Sequence, residues 1–324
     1  MISVFDVGGT TFRSARFAGG QLADVTRTDT PNYLRGLTEA EINAAIVDLI
    51  VRRVLRDKVD TVGVCYAGPV SAEGTVTASP VIHGGALRQP FALKDIIRRE
   101  TGLERVFVTN DLTAAAMRYI RRYRRFLLLT VSSGVGGKIA VDGRIQIGLG
   151  GLEGEIGHIP APDGGEVDID CPCGTGKNHI GCVSSGRGIA MAALQLRHTL
   201  CKREYEQSSL FAKSEPSTRD IAAAADQNDA FAMRVIDYCT RPLAYALCVI
   251  LSAMYLEKVI LIGGLAQNCA YYVASLVRNT CGIGVYNYGE REIRDKFMTG
   301  DGDDDHGLIG VERFIREQLR ASIA

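Results

Sequence analysis

Three groups of residues between Val108 and His158 have the types and spacing to do chemistry together. Asn110-Asp111 offers a carboxylate that can accept a proton. Ser132-Ser133-Gly134-Val135-Gly136-Gly137 is a glycine run of the size that wraps a phosphate, because glycine lets the backbone come close to a ligand and turn its N–H groups inward. Glu155-Ile156-Gly157-His158 sets two polar side chains on a turn. The rest of the chain can be read as what holds these groups in one cleft and supplies a nucleotide to them. A separate cluster, Cys171, Cys173 and Cys182, lies in a polar stretch rich in Pro, Gly and Cys, from Pro160 to Cys182.

The elements that must position these groups follow from periodicity. Ile2 to Asp6 reads as a buried strand, Gly8-Gly9-Thr10-Thr11 as a tight turn and Thr11 to Phe17 as a returning strand. Asp6 at the strand end could hold a metal-bound water; a plain Gly-Gly hairpin is the alternative. Apolar spacing over Thr38 to Asp57 predicts an amphipathic helix. Val59 to Tyr66 reads as a strand ending on Ala67-Gly68-Pro69, Pro80 to Gly85 as a loop and Leu93 to Thr101 as a helix. Arg105 to Thr109 reads as a strand with Asn110-Asp111 at its carboxyl end, where ligands of α/β sheets gather. Thr113 to Tyr119 looks helical, so Asn110 or Asp111 could cap it, and an N-cap is the bland role for Asp111.

Phe126 to Thr130, the glycine loop and Lys138 to Val141 repeat the first unit: strand, glycine turn, strand. Two such hairpins, one on each side of a nucleotide's phosphates, are the arrangement of the actin-like ATPase fold. Gly148 to Gly157 carries five glycines in ten positions and reads as a loop built around a ligand or another backbone. Ser217 to Asp226 and Asp229 to Leu256 read as helices, the second broken or started at Pro242. Val259 to Ile262 reads as a strand leading to Gly263-Gly264, either a seat for adenine or ribose or a tight strand-to-helix turn. A helix from about Asn268 to Val277, an acidic loop Asp301 to Asp305 and a closing helix Gly307 to Leu319 follow.

At 324 residues, with 46% apolar and 23% charged, the chain has the size and balance of a globular enzyme of one large or two ordinary domains. Its 37 basic and 37 acidic residues give no net charge, which argues against a nucleic-acid coat. Five arginines between Arg118 and Arg125 read as a solvated face or turn, with an anion or partner patch as the alternative. No signal peptide is read at the N-terminus. The apolar run Leu243 to Leu256 is shorter than the ~20 residues of a membrane span. Nine cysteines without an export signal are expected to be reduced, and the cytoplasm is the expected compartment.

Taken in order, Asp6-Val7-Gly8-Gly9-Thr10, Ala67-Gly68-Pro69, Asn110-Asp111, Ser133-Gly134-Val135-Gly136-Gly137, Gly154-Glu155-Ile156-Gly157-His158, Cys171-Pro172-Cys173-Gly174, Ser185-Gly186-Arg187-Gly188-Ile189, Gly263-Gly264, Gly307 and Gly310 resemble the ROK family of sugar kinases. The resemblance covers nearly the whole chain. It implies a two-lobed actin-like (ribonuclease H-like) α/β fold with a nucleotide and substrate cleft between lobes. The lobes would be 1–116, completed by about 307–324, and 117–306, with a zinc-binding excursion at 158–182. It implies ATP-dependent phosphorylation of a hydroxyl on a hexose or a sugar-like cyclitol, with ATP, Mg²⁺ and a structural Zn²⁺, in a homodimer without nucleic acid or membrane. Asp111 would be the general base. Asn110, Glu155, His158, His179 and Gly68 would bind the acceptor. Asp6, Gly8, Gly9, Thr10, Thr11, Ser133, Gly134, Gly136, Gly263 and Gly264 would bind the nucleotide, and lobe closure would exclude water.

The resemblance also implies zinc on His158, Cys171, Cys173 and Cys182, a reduced metal-free cluster being the alternative. Two departures stand out. The family reads Cys-x-Cys-Gly-x-x-Gly-Cys-x-Glu, the Glu contacting the sugar, and here no Glu follows Cys182. One alignment keeps Cys182 as a ligand through a longer loop; the other puts Lys177 on the lost cysteine and His179 on the lost Glu. Zinc on Cys182 with His179 facing the substrate is favoured, because only a thiolate completes the cysteine set. The second departure is Ser79-Pro80-Val81, where many relatives have a sugar-binding Asn. Both departures put glucose in doubt and make a cyclitol a serious option. The other function classes are a non-catalytic sugar sensor and a transcriptional regulator of the same family; the latter carries a helix-turn-helix ahead of the first phosphate motif, and only five residues precede Asp6.

Overall fold

The computed structural model describes residues 1–148, 151–162, 165–303 and 305–321. Leu149 and Gly150 of the glycine-rich run, Asp163 and Gly164 of the Pro160–Cys182 excursion, Asp304 of the acidic loop and the last three residues lie outside it. The chain forms two compact units, 1–122 with 143–153 and 303–324, and 123–142 with 154–302.

The first unit opens with β1 (Ile2–Val7), β2 (Thr11–Ala18) and β3 (Gln21–Asp29), then α1 (Glu39–Asp57) and β4 (Thr61–Tyr66). A small hairpin of β5 (Val76–Ala78) and β6 (Ala86–Phe91) brackets a one-turn helix, α2 (Pro80–His83), where a loop is expected. Then come α3 (Leu93–Thr101), β7 (Arg105–Asn110), α4 (Asp111–Met117) and, after the second unit begins, β10 (Arg144–Ile145). The sheet order is β3-β2-β1-β4-β7, with β1, β4 and β7 parallel and the β1–β2–β3 ribbon antiparallel.

Alternation along the strands decides which helix covers which face. Phe5, Val7, Val62, Val64 and Tyr66 point to one side, where Ile42, Ile46, Ile50 and Val54 of α1 and Ile97 of α3 bury against them. Each such side chain contributes about 2 kcal/mol. A Thr38–Glu41 capping box starts α1. Val4, Ala15 and Cys65 point to the other side, under Ala114 of α4 and Leu308 and Val311 of α13 (His306–Ala321). The closing helix therefore completes the first unit rather than forming a tail.

The second unit repeats this plan. β8 (Phe126–Val131) and β9 (Val135–Val141) form an antiparallel hairpin, and β11 (Lys258–Ile262) runs parallel beside β8, as β4 does beside β1. β12 (Phe297–Thr299) extends the order to β9-β8-β11-β12. Between β9 and β11 lie α5 (Ile180–Ser184), α6 (Gly186–Leu196), α7 (Lys202–Glu206), α8 (Thr218–Asp226) and α9 (Ala230–Ala253); α10 (Gly264–Asn268), α11 (Ala270–Ile283) and α12 (Glu290–Lys296) follow β11.

The helix expected to break at Pro242 runs through it. An interior proline costs about 3 kcal/mol, but α9 buries twelve residues distributed on both sides of Pro242. That packing outweighs the lost backbone bond. Among the described residues α9 is the one helix long and apolar enough to cross a membrane, and 56% of its most apolar window is buried within the protein. It is the central core helix of its unit, in contact with α5, α6, α8 and α11.

Gly310 is where α13 meets α4: a Cβ there would lie 1.7 Å from the Ala114 carbonyl oxygen. Gly310→Ala is expected to destabilise the first unit by about 2 kcal/mol, as overpacking does. Gly282→Ala on α11, where a Cβ meets nothing within 4 Å, is expected to be neutral or stabilising by under ~1 kcal/mol. Denaturant titration of both variants checks the contrast; equal effects would sink it.

Candidate functional site

In the first unit, the registers Asp6↔Cys65 and Cys65↔Thr109 bring the carboxyl ends of β1, β4 and β7 level. Asp6 is buried and its carboxylate meets Arg13 of β2 at 2.9 Å. Gly8 N–H bonds the Thr11 carbonyl at 3.1 Å, closing the expected turn. The carbonyls of Gly8 and Gly9 are held by the Thr30 hydroxyl at 2.7 Å and the Asn32 amide at 2.9 Å. With both carbonyls engaged, the N–H edge of Gly9 and Thr10 is the side left for an anion. Gly9 must be glycine, because a Cβ would lie 2.9 Å from the Val81 Cβ. Thr10 is exposed and Thr11 half-buried.

The cap of α4 is Asn110, not Asp111. Asn110 Oδ1 accepts from the N–H groups of Leu112 at 2.9 Å and Thr113 at 3.1 Å, while its Nδ2 donates to the Gly68 carbonyl at 2.9 Å. Asp111 occupies the first helical position. Its Oδ1 accepts from the Asn110 amide and the Leu112 N–H, both at 2.9 Å, and the side chain stays half-exposed. One carboxylate oxygen is thus oriented by two donors beside a helix N-terminus. Gly68, at φ 146°, is forced by the Ala78 carbonyl, which a Cβ would approach to 2.1 Å. Fully buried Cys65 lies beside Asp6 and Asp111; burial first, then the two carboxylates, push its thiol well above the ordinary range.

Tyr66 and His83 are polar residues that the sequence reading passed over. Their rings stack at 6.5 Å, next to the Asn110 end of the sheet. Tyr66 Oη and His83 Nδ1 are buried without a hydrogen-bond partner, while His83 Nε2 meets Asn43 Oδ1 at 2.9 Å. Burial pushes the His83 pKa down. The one sequence signal was rarity: His83 is one of five histidines.

In the second unit four glycine motifs converge on the ends of β8, β9 and β11. Ser132 N–H bonds the Gly134 carbonyl at 2.9 Å, leaving Ser133 and Gly134 exposed at the tip and Gly136 half-buried. Gly263, at φ 93°, sits against the Val131 carbonyl, and Gly264 starts α10. Gly186 N–H donates to the Ser132 carbonyl at 2.7 Å. The 154–157 turn lies flat on β9: a Cβ on Gly154 would be 2.2 Å from the Gly137 carbonyl oxygen, and one on Gly157 would be 2.1 Å from that of Val135. This leaves Glu155 and His158 exposed on the turn.

The excursion folds back as a laced loop. Asn178, at φ 51°, accepts from Ile169 N–H at 2.8 Å and donates to the Val167 carbonyl at 2.7 Å. Cys171 N–H bonds the Gly176 carbonyl and Gly174 N–H the Cys171 carbonyl, both at 3.0 Å. Ile180 N–H bonds the Ile159 carbonyl at 2.9 Å, which ties in the His158 turn. As a result, ligand atoms of His158, Cys171, Cys173 and His179 all fall within 4.8 Å of one another.

Cys182 is not among those four atoms, although its thiol lies beside that of Cys171: one turn into α5, it is 2% exposed, with its Sγ 3.9 Å from the Asp170 carbonyl. His179, expected at the substrate, is 5% exposed, with Nδ1 3.5 Å from Cys173 Sγ. His179 is the N-cap residue of α5, and Cys182 follows it on the same side of that short helix. Lys177, placed on the lost cysteine by the other alignment, instead bonds Asp168 at 2.9 Å. None of the nine cysteines is in a disulfide.

The Thr175 hydroxyl, 3.0 Å from Cys173 Sγ, leads the interactions that lower the Cys173 pKa to about 6. A thiolate at neutral pH is a ready metal ligand. In chelator-treated protein, Cys173 is expected to react with iodoacetamide well ahead of the eight other cysteines, with half-maximal rate near pH 6. Mass mapping across pH checks this, and a midpoint above pH 8 would contradict it.

The ROK family model matches residues 2–317. The chain is 32% identical to a C(7)-cyclitol 7-kinase of Streptomyces hygroscopicus subsp. limoneus over 336 aligned residues, spanning 98% of this chain and 94% of that protein. It is 32% identical to a glucokinase of Halalkalibacterium halodurans over 280 residues, 81% and 79% of the respective chains. Among solved structures, a ROK family glucokinase from Streptomyces griseus, in complex with glucose and AMPPNP, superposes with a TM-score of 0.73 at 23% identity, over 98% of this chain and 99% of that one.

Proposed function

This chain belongs to the ROK family, and from that premise we propose that it is an ATP-dependent carbohydrate kinase whose acceptor is a sugar-like cyclitol in preference to glucose. Its fold is the actin-like ATPase α/β fold, and the family's kinases act on hexose-like alcohols. The observation that carries the reading is the repeated strand–glycine turn–strand hairpin, one in each unit, together with a half-exposed Asp111 whose Oδ1 is already oriented by two donors. The preference for a cyclitol rests on 32% identity to a cyclitol kinase across 98% of this chain, on Ser79-Pro80-Val81 where many relatives have a sugar-binding Asn, and on the absence of a Glu after Cys182.

The reaction is a transfer in which the acceptor oxygen bonds the γ-phosphorus, the bond from that phosphorus to the β–γ bridging oxygen breaks, and ADP leaves. Asp111 takes the proton from the acceptor hydroxyl as its oxygen attacks. Asn110, Glu155, His158 and Gly68 orient the acceptor. Gly8, Gly9, Thr10 and Thr11 on one hairpin, and Ser133, Gly134 and Gly136 on the other, supply donors to the phosphates, and Gly263 and Gly264 the seat for the nucleoside. Asp6 is the hard oxygen donor at the first hairpin and suits a Mg²⁺-bound water; Mg²⁺ supplies charge neutralisation on the phosphates when bound. Structural zinc on Cys171, Cys173 and His158, a homodimer and a cytoplasmic site belong to the same reading. A sensor without turnover lacks support from any particular residue, since the base and both phosphate turns are present.

Asp111→Asn is expected to lower kcat by about 10³-fold while KM for the acceptor changes little. ADP release is measured across a panel of hexoses and C7 cyclitols. Near-normal kcat in the variant would refute the base, and glucose turning over faster than every cyclitol would refute the acceptor preference.

A further inference from the structure

The cluster around Cys171 has a property that its sequence pattern does not carry. Cys171 and Cys173 are each approached by an imidazole through Nδ1: His158 at 3.6 Å from Cys171, His179 at 3.5 Å from Cys173. In a tetrahedral site with Zn–S of about 2.3 Å and Zn–N of about 2.05 Å, the sulfur-to-nitrogen edge is about 3.6 Å. Both separations match that edge. The two rings stand nearly perpendicular, at 85°, with centroids 5.9 Å apart, so their nitrogens converge without the rings stacking. All four ligand atoms lie within 4.8 Å of one another.

We infer that this chain carries a two-sulfur, two-nitrogen zinc site completed by His179, with Cys182 retained as a core residue outside it. Donor chemistry selects the ion, because a closed tetrahedral set of two thiolates and two imidazoles suits Zn²⁺. The position of His179 is built in by the loop, not adopted by chance. Pro160 and His179 form a β-bridge, the Asn178 side chain clamps 167–169, and Gly176 leaves room for the ring, since a Cβ there would lie 3.0 Å from His179 Nε2. Cys182, on α5 itself, lies beside Cys171, but its Sγ is not among the four atoms that fall within 4.8 Å of one another. The consequence for the acceptor follows from the ring. Ligation through Nδ1 leaves the proton of His158 on Nε2, so this exposed residue is locked as a hydrogen-bond donor and recognises an oxygen as acceptor atom.

The ligand set is independent of the kinase chemistry, and metal content is read apart from turnover. Purified wild-type protein is expected to hold one zinc per chain, and Cys182→Ser to hold the same. His179→Ala is expected to lose the metal or bind it at least ~10-fold more weakly. Because that variant could misfold, His179→Cys is made alongside it. After exchange of zinc for cobalt, the thiolate-to-cobalt charge-transfer band should be equal in wild type and Cys182→Ser, and stronger by about half in His179→Cys, where three thiolates replace two. Loss of metal or of band intensity in Cys182→Ser, full retention of metal in His179→Ala, or no zinc in the wild type would each overturn the assignment.

Discussion

The arrangement of the second unit depends on main chain lying directly on main chain. Gly154 and Gly157 approach the carbonyls of Gly137 and Val135 more closely than any side-chain carbon would permit. Remove that approach and the turn lifts off β9, taking Glu155 and His158 with it. The same turn borders the cysteine–histidine cluster, because Gly181 packs over the Gly157 carbonyl and Ile180 N–H bonds the Ile159 carbonyl. The glycine turn at 132–137, Glu155 and His158, and the Cys171–Cys173 cluster are therefore held by one set of backbone contacts. None of these contacts relies on a flexible side chain, which suits a site that must hold position to a fraction of an ångström.

The first unit uses helix packing for the same purpose. Gly310 lets α13 settle on α4, and Gly307 lets its first turn rest on Asp6 and Cys65. Asp111 and the Gly8–Thr11 turn therefore sit on elements that the C-terminal helix clamps together. Arg118, buried and paired with Asp303, adds an ion pair beside that clamp. The arginine-rich stretch after α4 is thus partly structural: its first member serves the fold rather than a solvated face.

Most of the strands, the long helices and the repeated hairpin were legible, because each is a run of one period with glycine or a cap at its end. Helix α1 shows it well, with apolar residues at Ile42, Ile46 and Ile50 and a capping box at Thr38. Pro242 misled because local backbone cost is visible in a sequence while the compensating burial is not. Strand β3 escaped notice because its residues are exposed or half-buried and it carries no apolar stripe. In the cysteine loop the sequence pattern pointed to His158, Cys171 and Cys173, which do lie together, while the approach of His179 to Cys173 depends on how the loop folds back.

By itself the amino-acid sequence determined the residue kinds and their order: which strands end on glycine, which acid follows which strand, and that cysteine and histidine cluster after the second turn. Those features depend on neighbours a few residues apart, within reach of periodicity and turn chemistry. Only the tertiary structure decided that Asn110 caps α4 while Asp111 stays half-exposed, that the rings of Tyr66 and His83 stack, and that His179 meets Cys173. Each of those outcomes turns on the direction of a side chain. That direction is set by contacts between segments tens of residues apart, which sequence spacing does not contain.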